Sequence, residues 1–366
     1  MLNFIYSYII WNPNPQVIPG LDIPRWYSLL FAGGFVISYF IVSHFFRKEG
    51  KHVSDVDRLT MYMVLGTVIG ARLGHVIFYE PERYLSNPID ILKTWEGGLA
   101  SHGAAVGILL ALWLYARNTP GQSFLWIVDR IVIVVALTGC LIRIGNLMNS
   151  EIGGKPAKSN TGFVFTKTAE NIFTRRMDAV EKVKARAGKG TEYAPGLVPI
   201  ELVFDFKRGT YTEEQLGQYV ENQVGTLLQT NAYIQEDLFQ PQDQPLLYYL
   251  VNTAGGYQAI VHTYGVVRYP TQIYESAAYL AIFLLLYGIW NRLKRNSPEG
   301  LIFGIFMIVL WSSRFMLEFL KENQVEFEDT LQFNMGQILS IPLILSGFVL
   351  IAIAMRNKRK LEEKKA

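Results

Sequence analysis

Seven long apolar runs dominate this sequence, at residues 26–46, 59–79, 99–116, 126–147, 272–291, 300–320 and 335–355. Each has the roughly 17–25 residues that a helix needs to cross the hydrocarbon of a bilayer. In lipid the backbone must satisfy its own hydrogen bonds, so a run of this length crosses as a helix. The first run begins too late, and its flanks are wrong, for a cleaved signal peptide. The expected fold is therefore an all-α polytopic membrane protein with seven transmembrane helices, and a composition that is 50% hydrophobic agrees.

Charge in the short connections sets the expected orientation. Arg47, Lys48, Lys51 and Arg58 lie between runs one and two, Arg117 between three and four, and Arg292, Lys294 and Arg295 between five and six. More basic residues fill the tail from Arg356 to Lys365, whereas the opposite side carries only Arg25, Arg83, Lys93 and Lys321. The positive-inside rule then puts the N-terminus outside and the C-terminus in the cytoplasm. With the basic residues spent on topology and a net charge of +3, nucleic acid is not an expected partner. The single cysteine, Cys140, permits no intramolecular disulfide and reads as a packing residue.

The organisation that follows has five parts. Residues 1–25, with Tyr6, Tyr8, Trp11, Pro13 and Pro15, suit an interfacial segment on the outer leaflet. Residues 26–154 hold helices one to four, and 263–355 hold helices five to seven. Between them, 155–262 regains charge and forms a small α+β head outside the membrane. Ile200, Leu202, Phe204 and Phe206 alternate there as a strand does, and Glu213 to Gln229 places Leu216, Val220, Val224 and Leu227 at helical spacing. The head contains no metal-ligand spacing and no phosphate loop. Residues 356–366 are a basic cytoplasmic tail.

Polar side chains inside or at the ends of the runs are the candidate functional residues, because they are costly there. The densest group is Arg143-Ile-Gly-Asn146-Leu-Met-Asn149-Ser-Glu151-Ile-Gly-Gly154, at the end of the fourth run. Arg143 and Glu151 either pair with each other or bind a ligand in the space that Gly145, Gly153 and Gly154 clear. Arg72 lies well inside the second run and is expected to face a polar cavity. His102, in Glu96-Gly-Gly-Leu-Ala-Ser101-His102-Gly103, reads equally as an interfacial histidine or as a base. Arg25-Trp-Tyr27 opens the first run as an aromatic anchor would. Pro270 fits the first turn of the fifth helix and brings Gln272, Tyr274 and Glu275 to its outer end. Arg314 and Glu318, four residues apart, stack on one face of the sixth. Arginine binds phosphate through two parallel hydrogen bonds, so buried arginines suggest a phosphate-bearing substrate, which in a membrane is a phospholipid. A multi-span lipid transporter or flippase uses buried charge too, but it predicts inverted repeats, and none relates runs one to three to runs five to seven.

Six motifs in this order resemble the phosphatidylglycerol:prolipoprotein diacylglyceryl transferases: Arg25-Trp-Tyr27, Ser101-His-Gly103, Arg143 to Gly154, Pro270-Thr-Gln-Ile-Tyr-Glu275, Arg314-Phe-Met-Leu-Glu318 and Met335-Gly-Gln-Ile-Leu-Ser340. The resemblance covers all seven runs but not the head, which is longer than the compact head of that family. It departs from the family pattern at Ile142, Ala104, Leu147, Tyr269 and Leu310, where glycine, glycine, an aromatic, histidine and tyrosine are expected. The resemblance implies a bacterial inner-membrane enzyme of lipoprotein biosynthesis. It would transfer diacylglyceryl from phosphatidylglycerol to the lipobox cysteine of a prelipoprotein signal peptide, with release of glycerol phosphate. It implies no cofactor and no metal, because the donor already carries its leaving group. The roles it implies are His102 as base, Arg143 and Arg314 on the phosphate, and Tyr27 and Asn146 on the headgroup or ester carbonyls. Glu151 and Glu318 would orient the arginines, and Gly154 would allow close backbone approach. Arg72, Gln272, Tyr274 and Glu275 complete the expected substrate contacts.

Overall fold

The computed structural model describes residues 8–21, 23–94, 97–209, 211–254, 256–322, 328 and 331–363. Tyr6, Glu96 and the last basic residues of the tail, Lys364 and Lys365, lie outside the described residues. The chain opens with strand β1 (Tyr8–Trp11), followed by α1 (Trp26–Glu49), α2 (Ser54–Phe78), short α3 (Pro81–Ser86), α4 (Ser101–Asn118) and α5 (Phe124–Met148). A mixed segment comes next, with β2 (Gly162–Phe165), α6 (Lys167–Arg176), β3 (Val180–Ala187), β4 (Leu197–Phe206), α7 (Glu213–Tyr219), α8 (Gly225–Thr230) and α9 (Ala232–Gln235). It ends with β5 (Leu238–Phe239), β6 (Leu247–Thr253) and β7 (Gly256–Val266). Helices α10 (Thr271–Leu293), α11 (Leu301–Glu318) and α12 (Met335–Glu363) close the chain.

Each apolar run is helical, and among the described residues six helices, α1, α2, α5, α10, α11 and α12, are long and apolar enough to cross a membrane. Helix α4 covers the third run with 18 residues but is not among those six. Its ends are polar, with Ser101 and His102 at one and Arg117 and Asn118 at the other. The described chain is thus mostly helical, with a small sheet region.

The chain divides into two compact units. One, the helix unit, comprises Phe31–Leu141, Ala277–Met316 and Phe333–Ala366. Phe45, Phe46, Leu112, Tyr115, Ile127, Leu286, Trp290 and Ile302 are fully buried in its core. Large apolar side chains on the other faces, such as Phe40, Ile77, Val106 and Phe348, are exposed, as lipid-facing residues are. Helices α2 and α4 touch backbone to backbone through Gly66, Gly70 and Gly74 on one and Gly103 and Gly107 on the other. A Cβ added at Gly70 would meet the Gly103 carbonyl oxygen at 2.5 Å, and one added at Gly107 would strike the Gly66 carbonyl. Small residues at four-residue spacing allow this approach, which membrane helices use because lipid offers no hydrophobic drive to associate.

Buried charge in this unit is matched. Glu49 receives the Arg130 guanidinium at 2.6 and 3.1 Å and the indole N–H groups of Trp126 and Trp290 at 2.9 and 2.6 Å. Asp129 accepts the backbone N–H groups of Gly300 and Phe303 at 2.9 and 2.7 Å, capping the start of α11. Cys140 is buried in the apolar core.

The second, head-bearing unit comprises Met1–Leu30, Ile142–Ser276 and Leu317–Gln332. Its centre is an antiparallel sheet in the order β3-β4-β7, with β5 and β6 both pairing the free side of β7. The alternation read from the sequence appears in β4, where Ile200, Leu202, Phe204 and Phe206 are buried. They share one core with Phe173 of α6 and with Leu216, Val220, Val224 and Leu228. Those four belong to one helical run that starts at a Thr212/Gln215 capping box and passes through a π-turn at Val220–Val224. The N-terminal segment contributes a strand: β1 pairs in parallel with β2, and the Tyr8 hydroxyl donates to the Pro199 carbonyl at 2.6 Å. In the same unit burial pushes the Asp237 carboxyl up to about 7, against the pull of Arg268 at 3.2 Å.

Candidate active site

Helix α5 ends at Met148, and the next six residues wrap tightly. Asn149 and Glu151 donate their backbone N–H groups to the carbonyls of Gly145 and Asn146 at 3.0 and 3.1 Å. Ser150 and Ile152 take positive φ, 56° and 59°, without being glycine. For a β-branched residue such as Ile152 that is strained backbone, which persists only where the surroundings enforce it. The enforcement comes from the start of α10. Gln272 donates its amide to the Glu151 carbonyl at 2.7 Å, and the Thr271 hydroxyl donates to the Ile152 carbonyl at 3.1 Å. Pro270 sits just before α10 rather than in its first turn, and its carbonyl accepts the N–H of Ile273.

Seven side chains gather around this wrap. Arg143 places its Nε 3.0 Å from Glu275 Oε2 and its Nη1 3.4 Å from Asn146 Oδ1. Asn146 is buried and passes its amide to Glu151 Oε1 at 2.8 Å, which also accepts from Asn149 at 3.2 Å. So the carboxylate facing Arg143 is Glu275, and Glu151 is reached only through Asn146. The other oxygen of Glu275 binds Lys321 Nζ at 2.6 Å, and Glu318 lies 3.9 Å from the same ammonium. Glu275, Glu318 and Lys321 are all buried. Lys321 escaped the sequence reading because it looked like a loop charge; its spacing of three from Glu318 was the available signal.

The electrostatic result is specific. Glu275 bridges Arg143 and Lys321, and Glu318 lies beside the same ammonium, so two cations and two carboxylates balance while Arg143 is held in place through its Nε. Its Nη2 has no hydrogen bond among the described residues. Several buried polar atoms nearby also lack one among those residues: Asn149 Oδ1, Ser150 Oγ, Gln272 Oε1 and Glu318 Oε2. Unsatisfied buried polar atoms in a cluster are what a site for a polar ligand leaves behind.

The glycines serve packing. A Cβ at Gly145 would meet Tyr27 at 2.9 Å, so this glycine admits the first turn of α1. A Cβ at Gly154 would lie 2.6 Å from the Tyr269 carbonyl oxygen and 2.8 Å from that of Leu320, so the close approach there is to protein backbone, not to a ligand. Tyr274 is 38% exposed at the start of α10. Arg268, unmarked in the sequence reading, is buried and donates to the carbonyls of Gly154 and Glu236 and to Glu322.

The helix unit holds the remaining candidates. Arg72 is saturated: Nε donates to Ile91 O, Nη1 to the carbonyls of Gly97 and Gly98, and Nη2 to those of Asp90 and Lys93. Its ring neighbour is Tyr84, 4.9 Å away. Each nitrogen thus donates to the loop before α4, which Arg72 clamps. His102, the second residue of α4, is exposed beside Phe78 and Tyr79, at ring distances of 5.1 and 5.8 Å. Arg314 lies over the Trp311 ring at 5.8 Å and makes no hydrogen bond among the described residues.

Comparison with known proteins covers nearly the whole chain. Residues 16–353 match the family described as prolipoprotein diacylglyceryl transferase. A phosphatidylglycerol–prolipoprotein diacylglyceryl transferase of Tolumonas auensis is 33% identical over 353 residues, covering 96% of this chain and 100% of that protein. Proteins of the same name from Chloroherpeton thalassium and Porphyromonas gingivalis are 32% and 31% identical, covering 94% and 96% of both chains.

Proposed function

Because this chain belongs to the prolipoprotein diacylglyceryl transferase family, we propose that it transfers the diacylglyceryl group of phosphatidylglycerol to the lipobox cysteine of prelipoproteins, the first step of lipoprotein maturation. In the reaction a sulfur–carbon bond forms, the carbon–oxygen bond to the phosphate breaks, and glycerol phosphate leaves. The curated relatives carry transferase names, so the transporter reading is not pursued.

Arg143 is the observation that carries the reading. Glu275 and Asn146 fix its guanidinium from one side, Lys321 shares the charge of Glu275, and Nη2 stays open. A cation so preorganised stabilises the negative charge that builds on a departing phosphate, and it needs no reorganisation as the bond breaks. Arg314, a second cation without a hydrogen bond among the described residues, is assigned the same kind of work. The acceptor thiol has an ordinary pKa of about 8.5 and reacts as thiolate. His102, exposed at the start of α4, is assigned to take its proton. Asn146 and Tyr27 bind headgroup or ester oxygens, and Gln272 and Tyr274 line the same approach. Helix α4 is assigned as a seventh span, with the N-terminus and the head outside the cytoplasm and the basic tail inside, in the bacterial inner membrane.

Purified protein incubated with phosphatidylglycerol labelled in its acyl chains and a lipobox peptide should move label onto the cysteine. Folded protein that leaves the peptide unlabelled would overturn the assignment.

A further inference from the structure

The two edges of the head sheet are treated in opposite ways. On the β3 edge, Lys182, Lys184 and Arg186 alternate along the strand. The N–H of Ala185 is also taken by Glu170 Oε1 at 3.0 Å, a carboxylate held in turn by Thr166 and Asn12 at 2.9 Å. Charge and a side-chain cap are the usual ways a protein keeps an edge strand from pairing. The other edge has neither. Strand β6 reads Leu-Tyr-Tyr-Leu-Val-Asn-Thr, with no charge and no proline, and among the described residues it pairs only with β7. Leu247 and Tyr249 on it are 62% and 43% exposed.

Beside this edge runs an open groove of about 730 Å3, lined by Tyr248, Tyr249 and Leu250 of β6 and by Glu213, Glu214, Gly217, Gln218 and Glu221 of the neighbouring helical run. Tyr248 spans it, donating to Glu221 Oε1 at 3.0 Å. The three glutamates are exposed, and among the described residues no basic side chain lines the groove to balance them.

We propose that β6 is a docking strand: an extended polypeptide segment bearing lysine or arginine adds to its open edge and sets its basic side chains against Glu213, Glu214 and Glu221. Backbone pairing to a free edge supplies affinity that is indifferent to sequence, and the flanking charge selects the segment. An enzyme that must accept many polypeptides with one shared motif gains from such a contact. That identification of the segment with the prolipoprotein substrate rests on the function proposed above, whereas the docking strand itself does not.

The test uses the full-length protein in a neutral detergent without added lipid. The probe is a fluorescent eight-residue peptide alternating lysine with valine or threonine, with binding read by anisotropy. The lysine peptide should bind, and the same peptide N-methylated on alternate residues, which cannot complete a ladder, should not. Replacing Glu213, Glu214 and Glu221 together by glutamine should weaken binding about tenfold, the sum expected of three exposed charge contacts, with unfolding temperature unchanged. Equal binding of the N-methylated peptide, equal binding of a glutamate-for-lysine peptide, or occupation of the edge by a second copy of the chain would each overturn the proposal. In the transfer assay, a lipobox peptide with a basic extension should show a lower KM than one without it, and the triple glutamine variant should abolish that difference. Peptide binding without any transfer would sink the proposed function and leave the docking strand standing.

Discussion

Glu275 faces two cations, and this ratio decides what Arg143 can do. With Lys321 present, its ammonium offsets Glu318 and shares Glu275; without it, both buried carboxylates would be left to Arg143, which would have less charge to offer a phosphate. Lys321→Met is therefore expected to lower transfer at least about tenfold, as loss of one buried charge contact does, while Lys321→Arg restores most of it. Steady-state kinetics with phosphatidylglycerol varied would check this, and an unchanged rate in the methionine variant would remove Lys321 from the mechanism. Arg72 makes the opposite case. Its five N–H···O=C contacts hold the loop before α4, and lysine, with three donors and no planar fork, cannot reproduce them. Arg72→Lys should cost about 2 kcal/mol of stability, read as a lower unfolding temperature, and leave lipid KM unchanged. Arg72 and Glu275 stood out in the sequence only as charges in unusual places, and Lys321 not at all. Their partners were not legible, because Arg72 bonds carbonyls of a loop that folds back on it, and Glu275 and Lys321 lie 46 positions apart.

Elements were easier to read than contacts. The seven helices, the β4 alternation and the helical run from Glu213 follow from period and length, which the chain carries locally. The role of β1 did not, since its aromatic residues suit an interface equally well and its partner β2 lies more than 150 positions away. The glycine spacing on α2 and α4 was visible as composition, but only the fold pairs Gly66 and Gly70 with Gly103 and Gly107. Gly107→Leu should drive these backbones apart and lower stability by about 3 kcal/mol or more, measured by thermal unfolding in detergent. A variant as stable as the parent would mean that the two helices do not need their close contact.

At the scale of the whole molecule, the orientation argued from basic loops is open to a direct check. In a Cys140→Ala background, Lys189→Cys in the head should react with a membrane-impermeant maleimide in right-side-out vesicles, whereas Lys360→Cys in the tail should react only after lysis. The reverse pattern would invert the topology. Local sequence is enough to show membrane-length helices interrupted by one mixed α+β segment, with polar residues gathered at 143–154 and 270–275. Apolar period and the cost of charge in lipid are properties of short stretches, so no tertiary information was needed. It takes the folded chain to show which carboxylate holds Arg143, that Arg72 clamps a loop, and that the two edges of the head sheet are unequal. Pairing, saturation and exposure depend on distant segments meeting, and no local pattern of residues encodes which ones meet.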